Sequence, residues 1–398
     1  MLDISIGSGV FALILILAPF LLNKSEYRNY IFLFLNILVY AISGITSPLQ
    51  LLVFLIWIFV PYFTITKLYQ KKYTKTILVI LMVACFCYLM QYDWIFKRAG
   101  IPYAFLFKIL GLSYFLFRQI DYIMQYEYLL ESNVKLSLID YINYLLSFYT
   151  LLAGPILRYE AFVTDFYEEK AKLEKDEVLA LINRAVNGYI KVYVISSILM
   201  YYAKFYFEGL GKHSNIVFEI VAFVIFALFN GWYIYFNFSG YCDVVISFAK
   251  LSGLTVAENF NRPYLSRSVV EFWNRHHITL SEWIRDYIYS PLFKSFLSGP
   301  LKKNMKLAQY ISLFVTFVIA GVWHGTTVNY LIYGLFQGLG IVVATIFKAW
   351  LKKKLGKKKF KEYEKNKWIG IVEMCVTWTY ICLTFSFVGF DVAGLLFK

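Results

Sequence analysis

The stretch Leu307–Phe347, LAQYISLFVTFVIAGVWHGTTVNYLIYGLFQGLGIVVATIF, contains two apolar runs, each about as long as a bilayer-spanning helix. The runs, 307–323 and 329–347, are joined by a short turn that begins Trp-His-Gly at Trp323. Lysines precede the first run and follow the second, and an excess of lysine marks the cytoplasmic side of a membrane. The stretch therefore predicts a membrane hairpin with both ends inside and its turn toward the outer half.

The composition of the whole chain agrees with a membrane protein. Of 398 residues, 60% are hydrophobic and only 16% are charged, and a soluble fold cannot bury so much apolar surface. The aromatic share of 20% suits a protein with two membrane interfaces. The net charge of +14 is concentrated in short stretches between apolar runs, which indicates membrane topology rather than nucleic-acid binding. We expect an all-α polytopic membrane protein and exclude a water-soluble enzyme.

Apolar runs of spanning length recur along the chain and predict one membrane domain over residues 1–398. Besides the hairpin they lie at 4–22, 29–46, 48–66, 76–92, 103–120, 140–157, 187–205, 215–238, 241–257 and 369–391. We expect some of them to be half-spans, and about 10 to 12 transmembrane helices in all. Ten lysines between Lys348 and Lys367 predict that 348–367 is cytoplasmic and that the N-terminus lies outside.

One segment in the membrane region, Asn259–Leu292, is too polar to span and too aromatic to lie free in solvent. Capping boxes at Ser268–Glu271 and Thr279–Glu282 predict two short helices, about 269–277 and 280–290, with the second ending at Pro291. One face of the second helix is apolar and the other is charged, a pattern typical of an interfacial or re-entrant helix.

The chain has four histidines, His213, His276, His277 and His324, and three of them fall in the two segments described above. His324 lies at the turn of the apolar hairpin, where an ionisable group is costly unless it has a function. A neutral imidazole there can act as a general base, and Gly325 would let a substrate approach the backbone. The alternative is a structural histidine bound to a carbonyl or to aromatic edges. For His276 and His277 a structural role has nearly the same weight as a functional one. His213 is expected to be a loop residue.

Other polar residues within apolar runs are interpreted first as scaffold. Arg118, Asp121, Arg158 and Asp243 are expected to form ion pairs or to line a wet cavity, with pairing favoured over catalysis. The five cysteines show no metal-ligand spacing, and nucleotide-binding and serine-hydrolase motifs are absent from the sequence. Of the kinds of active site considered, only a histidine-centred membrane site is left.

At these residues the chain resembles the membrane-bound O-acyltransferase superfamily, and within it the bacterial polysaccharide branch. That branch includes alginate O-acetyltransferase membrane subunits, peptidoglycan O-acetylation proteins and the teichoic-acid D-alanyltransferase. The matching pieces, which with the span layout cover about 100–350, are Ala153–Tyr159, Phe238–Asp243, Phe272–Leu292 and Trp323–Gly325.

The resemblance implies a ring of helices, thin at its centre, around a catalytic histidine. According to this resemblance, His324 corresponds to the catalytic histidine and His277 to the second histidine of the family motif. His276 stands where the family usually has Trp, and Asn237 where many members have Asp. The supporting or substrate-binding residues that it implies are Trp323, Gly325, Asn274, Arg275, His276, Asn237 and Asp243.

The resemblance also implies a substrate class. A small acyl group, expected to be acetyl from acetyl-CoA, would pass from a cytoplasmic thioester to an extracytoplasmic polysaccharide, peptidoglycan or relay protein of the SGNH-hydrolase type. The alternative is D-alanyl transfer to teichoic acid from a carrier protein. A third alternative is a transporter or flippase that uses His324, Arg118 and Asp243 as a polar path. We expect no bound cofactor, no metal and no nucleic-acid partner, and a location in the bacterial cytoplasmic membrane.

Overall fold

A computed structural model describes residues 8–22, 27–43, 47–90, 92, 111–169, 171–212 and 214–396. Within these ranges the regular elements are helices, with one isolated β-bridge between Phe260 and His276. The all-α prediction is confirmed. The α-helices are α1 Ser8–Leu22, α2 Arg28–Ser43, α3 Pro48–Leu68, α4 Thr74–Met90, α5 Leu112–Glu131, α6 Leu138–Leu146, α7 Tyr159–Tyr167, α8 Lys175–Ile190, α9 Ser196–Gly209, α10 Ile216–Leu251, α11 Val269–Arg275, α12 Ile278–Ile284, α13 Ser290–Ser298, α14 Met305–His324, α15 Val328–Lys365, α16 Lys367–Phe385 and α17 Val392–Leu396.

Six helices in the described part of the chain are long and apolar enough to cross a membrane. They are α3, the continuous run α8 to α9, α10, α14, α15 and α16, and three shorter apolar helices near the N-terminus accompany them. Large apolar side chains such as Phe34, Ile80 and Val376 are exposed on these helices, where lipid would cover them. The chain is a polytopic helical membrane protein, and the count of about 10 to 12 spans stays a prediction.

The predicted spans 215–238 and 241–257 are in fact one helix, α10. The expected break at Ser239-Gly240 does not occur, because a helix interior tolerates glycine at a cost of about 1 kcal/mol. The predicted span 140–157 is not one helix: it contains the short helix α6 and the 3-10 turn Phe148–Thr150, and the rest is irregular chain. The predicted span 103–120 and His213 lie partly or wholly outside the described residues.

The residues form two compact units. The first takes its described residues from Met1–Gln91, Ile95–Tyr189 and Tyr241–Ala257. Two charged groups in its interior have partners: the Arg118 guanidinium donates to the carbonyls of Tyr144, Leu145 and Thr150, and Asp121 lies 3.0 Å from Arg158. These contacts agree with scaffold roles for Arg118 and Asp121.

The second unit takes its described residues from Tyr92–Trp94, Ile190–Gly240 and Glu258–Lys398, and the hairpin α14–α15 lies in it. Glycines bring the two helices of the hairpin into backbone contact. A Cβ atom added at Gly321 would lie 2.3 Å from Cα of Gly334. Close approach through small residues is the usual way in which membrane helices pack. The hairpin and the position of His324 at its turn are confirmed.

The polar segment 259–292 also belongs to the second unit and is helical in two short pieces, as predicted. Ser268 caps α11, accepting from the backbone N–H of Glu271 at 3.2 Å. The second capping box is wrong, because α12 begins after His277, and Thr279 instead hydrogen-bonds Asn259.

The expected end at Pro291 is also wrong. A π-turn, Arg285–Tyr289, joins α12 to α13 without a break, so Pro291 lies within a continuous helical run rather than after its end.

Candidate active site

His324 is the last residue of α14 and lines a cavity of about 230 Å³ in the second unit. Its ring lies 4.5 Å from the Trp323 ring and 5.7 Å from the Tyr333 ring, centroid to centroid, the latter in an edge-on arrangement. Two aromatic rings thus pack against the imidazole at the helix end, and the cavity gives access to it. A histidine so placed can exchange a proton with a molecule in the cavity.

The cavity extends along the hairpin from His324. On α14 it is lined by one helical face from Leu313 to His324, and on α15 by Tyr333, Gln337 and Ile341. Eleven residues of α-helix correspond to roughly 16 Å. Since α14 starts beside the lysines at 302–306 and α15 runs toward Lys348, the cavity leads from His324 toward the lysine-bearing ends of the hairpin.

The lining of the cavity is mostly apolar. Among the described residues that line it there is no Asp or Glu, and the only full positive charge is that of Arg285. Asn274 and Arg285 are exposed, whereas Gln337 and Thr316 are buried. The cavity therefore suits a neutral group at its inner end.

His277 is not among the residues that line the cavity, and its backbone conformation is uncommon. Its φ of 50° is left-handed, a region in which histidine is tolerated better than most side chains. Its Nδ1 lies 3.3 Å from Oδ1 of Asn259, and the backbone N–H of Thr279 donates to the same oxygen at 3.1 Å. Because the N–H of Thr279 identifies that atom as an acceptor, Nδ1 of His277 carries the proton and Nε2 is the basic nitrogen.

His276 is packed among aromatic rings. Its ring stacks on Phe272 at 4.7 Å and lies edge-on to Phe260 at 5.0 Å. Burial, and secondly the neighbouring His324, lower the pKa of His276 to about 3. Burial, followed by the charges of His276 and His324, also holds the pKa of His277 well below its usual range. Both imidazoles are therefore neutral near pH 7.

A buried chain of polar side chains, two of which line the cavity, was not found from the sequence. Gln337 accepts from Nε1 of Trp273 at 3.1 Å and donates to Oγ1 of Thr384 at 2.6 Å. All three residues are less than a tenth exposed. A glutamine inside an apolar span was the available signal, because a polar side chain there needs partners.

The structure brings together part of the predicted set. His324 and Asn274 line the cavity, Trp323 lies against His324, and His276 and His277 lie close enough to His324 to be influenced by its charge. Arg275 forms an ion pair with Glu271 at 2.7 Å and is not among the lining residues.

Three other predicted residues have different surroundings. The open side of Gly325 is filled by the Tyr330 ring, 2.1 Å from where a Cβ atom would lie, and so is not left for a substrate. Asn237 lies 3.4 Å from the Ser196 hydroxyl. Asp243 belongs to the first unit, where it pairs with Arg184 at 2.9 Å, as the scaffold interpretation expected.

Comparisons with known proteins identify the family of the chain. The sequence profile of MBOAT, the membrane-bound O-acyltransferase family, matches residues 58–390. The chain is 29% identical over 282 residues to a teichoic acid D-alanyltransferase of Bacillus subtilis, covering 70% of this chain and 68% of that protein. It is 32% identical over 234 residues to a probable alginate O-acetylase of Pseudomonas syringae pv. tomato, covering 59% of this chain and 42% of that protein.

The helical membrane fold and these matches therefore define a membrane-embedded acyltransferase. The chain belongs to the membrane-bound O-acyltransferase family, as the sequence resemblance predicted. The match includes both the histidine-bearing hairpin and the segment that carries His276 and His277.

Proposed function

We propose that the protein transfers an acetyl group from acetyl-CoA at the cytoplasmic face to a hydroxyl group outside the membrane. The observation that carries the proposal is the cavity that leads from His324 toward the lysine-bearing ends of its hairpin. Lysine-rich segments lie on the cytoplasmic side, so a donor that enters along this cavity would come from the cytoplasm. In this orientation 348–367 is cytoplasmic and the N-terminus is outside.

The chemistry follows from a neutral His324. The imidazole takes the proton of the acceptor hydroxyl as its oxygen attacks the thioester carbon, and the C–S bond then breaks. The proton passes from the imidazolium to the departing thiolate, so that an ester and a free thiol are formed. In this proposal His277 orients the donor or stabilises developing charge, and Asn274 or Trp323 donates to the developing oxyanion.

The character of the cavity favours acetyl over D-alanyl. An alanyl group carries a cationic amine, and a buried cation needs a carboxylate or several acceptors to offset its loss of water. The described lining offers no carboxylate. D-alanyl transfer from a carrier protein, for which the Bacillus subtilis relative is named, is the second candidate.

The acceptor is proposed to be an extracytoplasmic polysaccharide or peptidoglycan, reached directly or through a separate relay protein of the SGNH-hydrolase type. The name of the Pseudomonas relative, an alginate O-acetylase, supports a polysaccharide acceptor. The proposed location is the bacterial cytoplasmic membrane.

The test uses purified protein in proteoliposomes. In parallel experiments, either radiolabelled acetyl-CoA or a D-alanyl carrier-protein thioester is supplied outside the vesicles. Each experiment includes a glycan or relay-protein acceptor. Label from acetyl-CoA should appear on the acceptor, and His324→Ala should lower the rate by about 100-fold or more, the usual contribution of a general base. Consumption of the alanyl donor alone would overturn the acetyl assignment. Movement of an intact substrate without thioester cleavage would indicate a transporter.

A further inference from the structure

Arg285 differs from the rest of the cavity wall. It is an exposed arginine in a lining that is otherwise mostly apolar, and it forms no ion pair with another described residue. It begins the π-turn Arg285–Tyr289, and π-turns within helices occur frequently at functional sites. A guanidinium in this position can bind an anion that enters with a ligand.

The path of the chain places Arg285 away from the histidines. From His277 the chain continues through α12 and the π-turn to α13, which precedes the lysines at the start of α14. Eight residues separate His277 from Arg285, which corresponds to about 12 Å of helix. Arg285 thus lies on the side of the cavity toward which the donor path leads.

The packing of α11 against α16 indicates the same direction along the cavity. Arg267, just before α11, pairs with Glu373 near the start of α16 at 2.6 Å. At the other end of α11, the His276 ring lies 5.5 Å from Phe385, the last residue of α16. Because α16 begins directly after the lysine-rich stretch, the histidines lie at the end of α11 that is remote from the lysines.

We propose that Arg285 binds the phosphate of the phosphopantetheine arm of the acyl donor and so fixes how far the thioester reaches toward His324. The inference rests on thioester-dependent acyl transfer as the proposed function. A pantetheine arm separates its sulfur from its phosphate by a chain with two amides. When the thioester is at His324, the phosphate must therefore lie well along the cavity, where Arg285 is. The guanidinium matches a phosphate in geometry and charge, and the apolar wall accommodates the arm.

The same phosphate occurs in coenzyme A and on a carrier protein, so the donor source is left to the experiment. Binding of CoA, of the phosphopantetheine-bearing carrier protein and of pantetheine without phosphate is measured calorimetrically on the full-length protein in detergent. The variants are Arg285→Ala, Arg285→Lys and the matched control Lys294→Ala, which removes an exposed charge nine residues further on, outside the cavity lining.

Arg285→Ala should weaken binding of CoA or of the carrier protein by about tenfold or more, as expected for a charge-assisted hydrogen bond. It should leave pantetheine binding unchanged, and Arg285→Lys should recover part of the loss. Whichever phosphorylated ligand shows the effect identifies the source.

Equal weakening for pantetheine and the phosphorylated ligands, no weakening, or no binding of either phosphorylated ligand to the wild type would overturn the Arg285 assignment. The acetyl-transfer assay reports separately on the proposed function.

Discussion

His277 and Asn259 are joined by a hydrogen bond between Nδ1 and Oδ1, 3.3 Å long, that fixes the tautomer of a histidine in a left-handed backbone conformation. The same Asn259 oxygen accepts from the backbone N–H and the hydroxyl of Thr279. One amide side chain therefore binds the first turn of α12 and fixes which nitrogen of His277 is basic.

Asn259→Ala should lower kcat for acyl transfer by about tenfold or more, because His277 can then adopt the other tautomer, a change that is costly in catalytic histidines. The rate is measured per folded protein in proteoliposomes. Thr279→Val is the matched control, since it removes one bond to Asn259 and leaves the bond to His277. Equal losses in the two variants would contradict a positioning role for Asn259.

Gln337→Leu should destabilise the protein by about 1–3 kcal/mol, because buried partners at Trp273 and Thr384 lose their hydrogen bonds. Thermal unfolding in detergent measures the loss. We also expect a raised KM for the thioester donor, since Trp273 and Gln337 both line the cavity. In Gln337→Glu, a protonated carboxyl group keeps an acceptor for Trp273. This variant should therefore lose less stability than the leucine variant. A fully stable leucine variant would show that the chain of hydrogen bonds has no energetic role.

Gly325→Ala should impair folding or activity, because the added methyl group collides with the Tyr330 ring. The double variant Gly325→Ala, Tyr330→Leu removes that ring and should recover most of the melting temperature lost in the single variant. A double variant whose melting temperature recovers while its KM for the acceptor exceeds that of the wild type would show that Gly325 contacts the substrate, as the sequence suggested.

Gly321→Ala should lower the yield of folded protein sharply, since its Cβ atom would lie 2.3–2.7 Å from backbone atoms of Gly334 and Tyr330. Overpacking of this kind costs about 1–3 kcal/mol, and more where backbone must move. Gly209→Ala is the control, because nothing lies within 4 Å of its added Cβ atom. Size-exclusion chromatography and thermal unfolding report both outcomes, and equal behaviour of the two variants would disprove close hairpin packing.

The sequence predicted the local features of the site well. The apolar runs on either side of Trp323-His324-Gly325 identified the hairpin, and the capping box at Ser268 identified α11. It failed at Pro291 and at Gly240, where a π-turn and a tolerant helix interior overrode the usual breakers. Asn259, Gln337 and Tyr330 were not found, because their roles arise from contacts between different elements.

The sequence by itself determined that the chain is a helical membrane protein with a histidine at the turn of an apolar hairpin, because hydrophobic run length and lysine placement are local properties set by the bilayer. Only the tertiary structure decided that the cavity follows one face of α14 and α15, that Arg285 shares it with His324, and that Asp243 belongs to the other unit. Those relationships depend on how helices remote in sequence pack against one another, and packing is specified by the shapes of all the contacting side chains together.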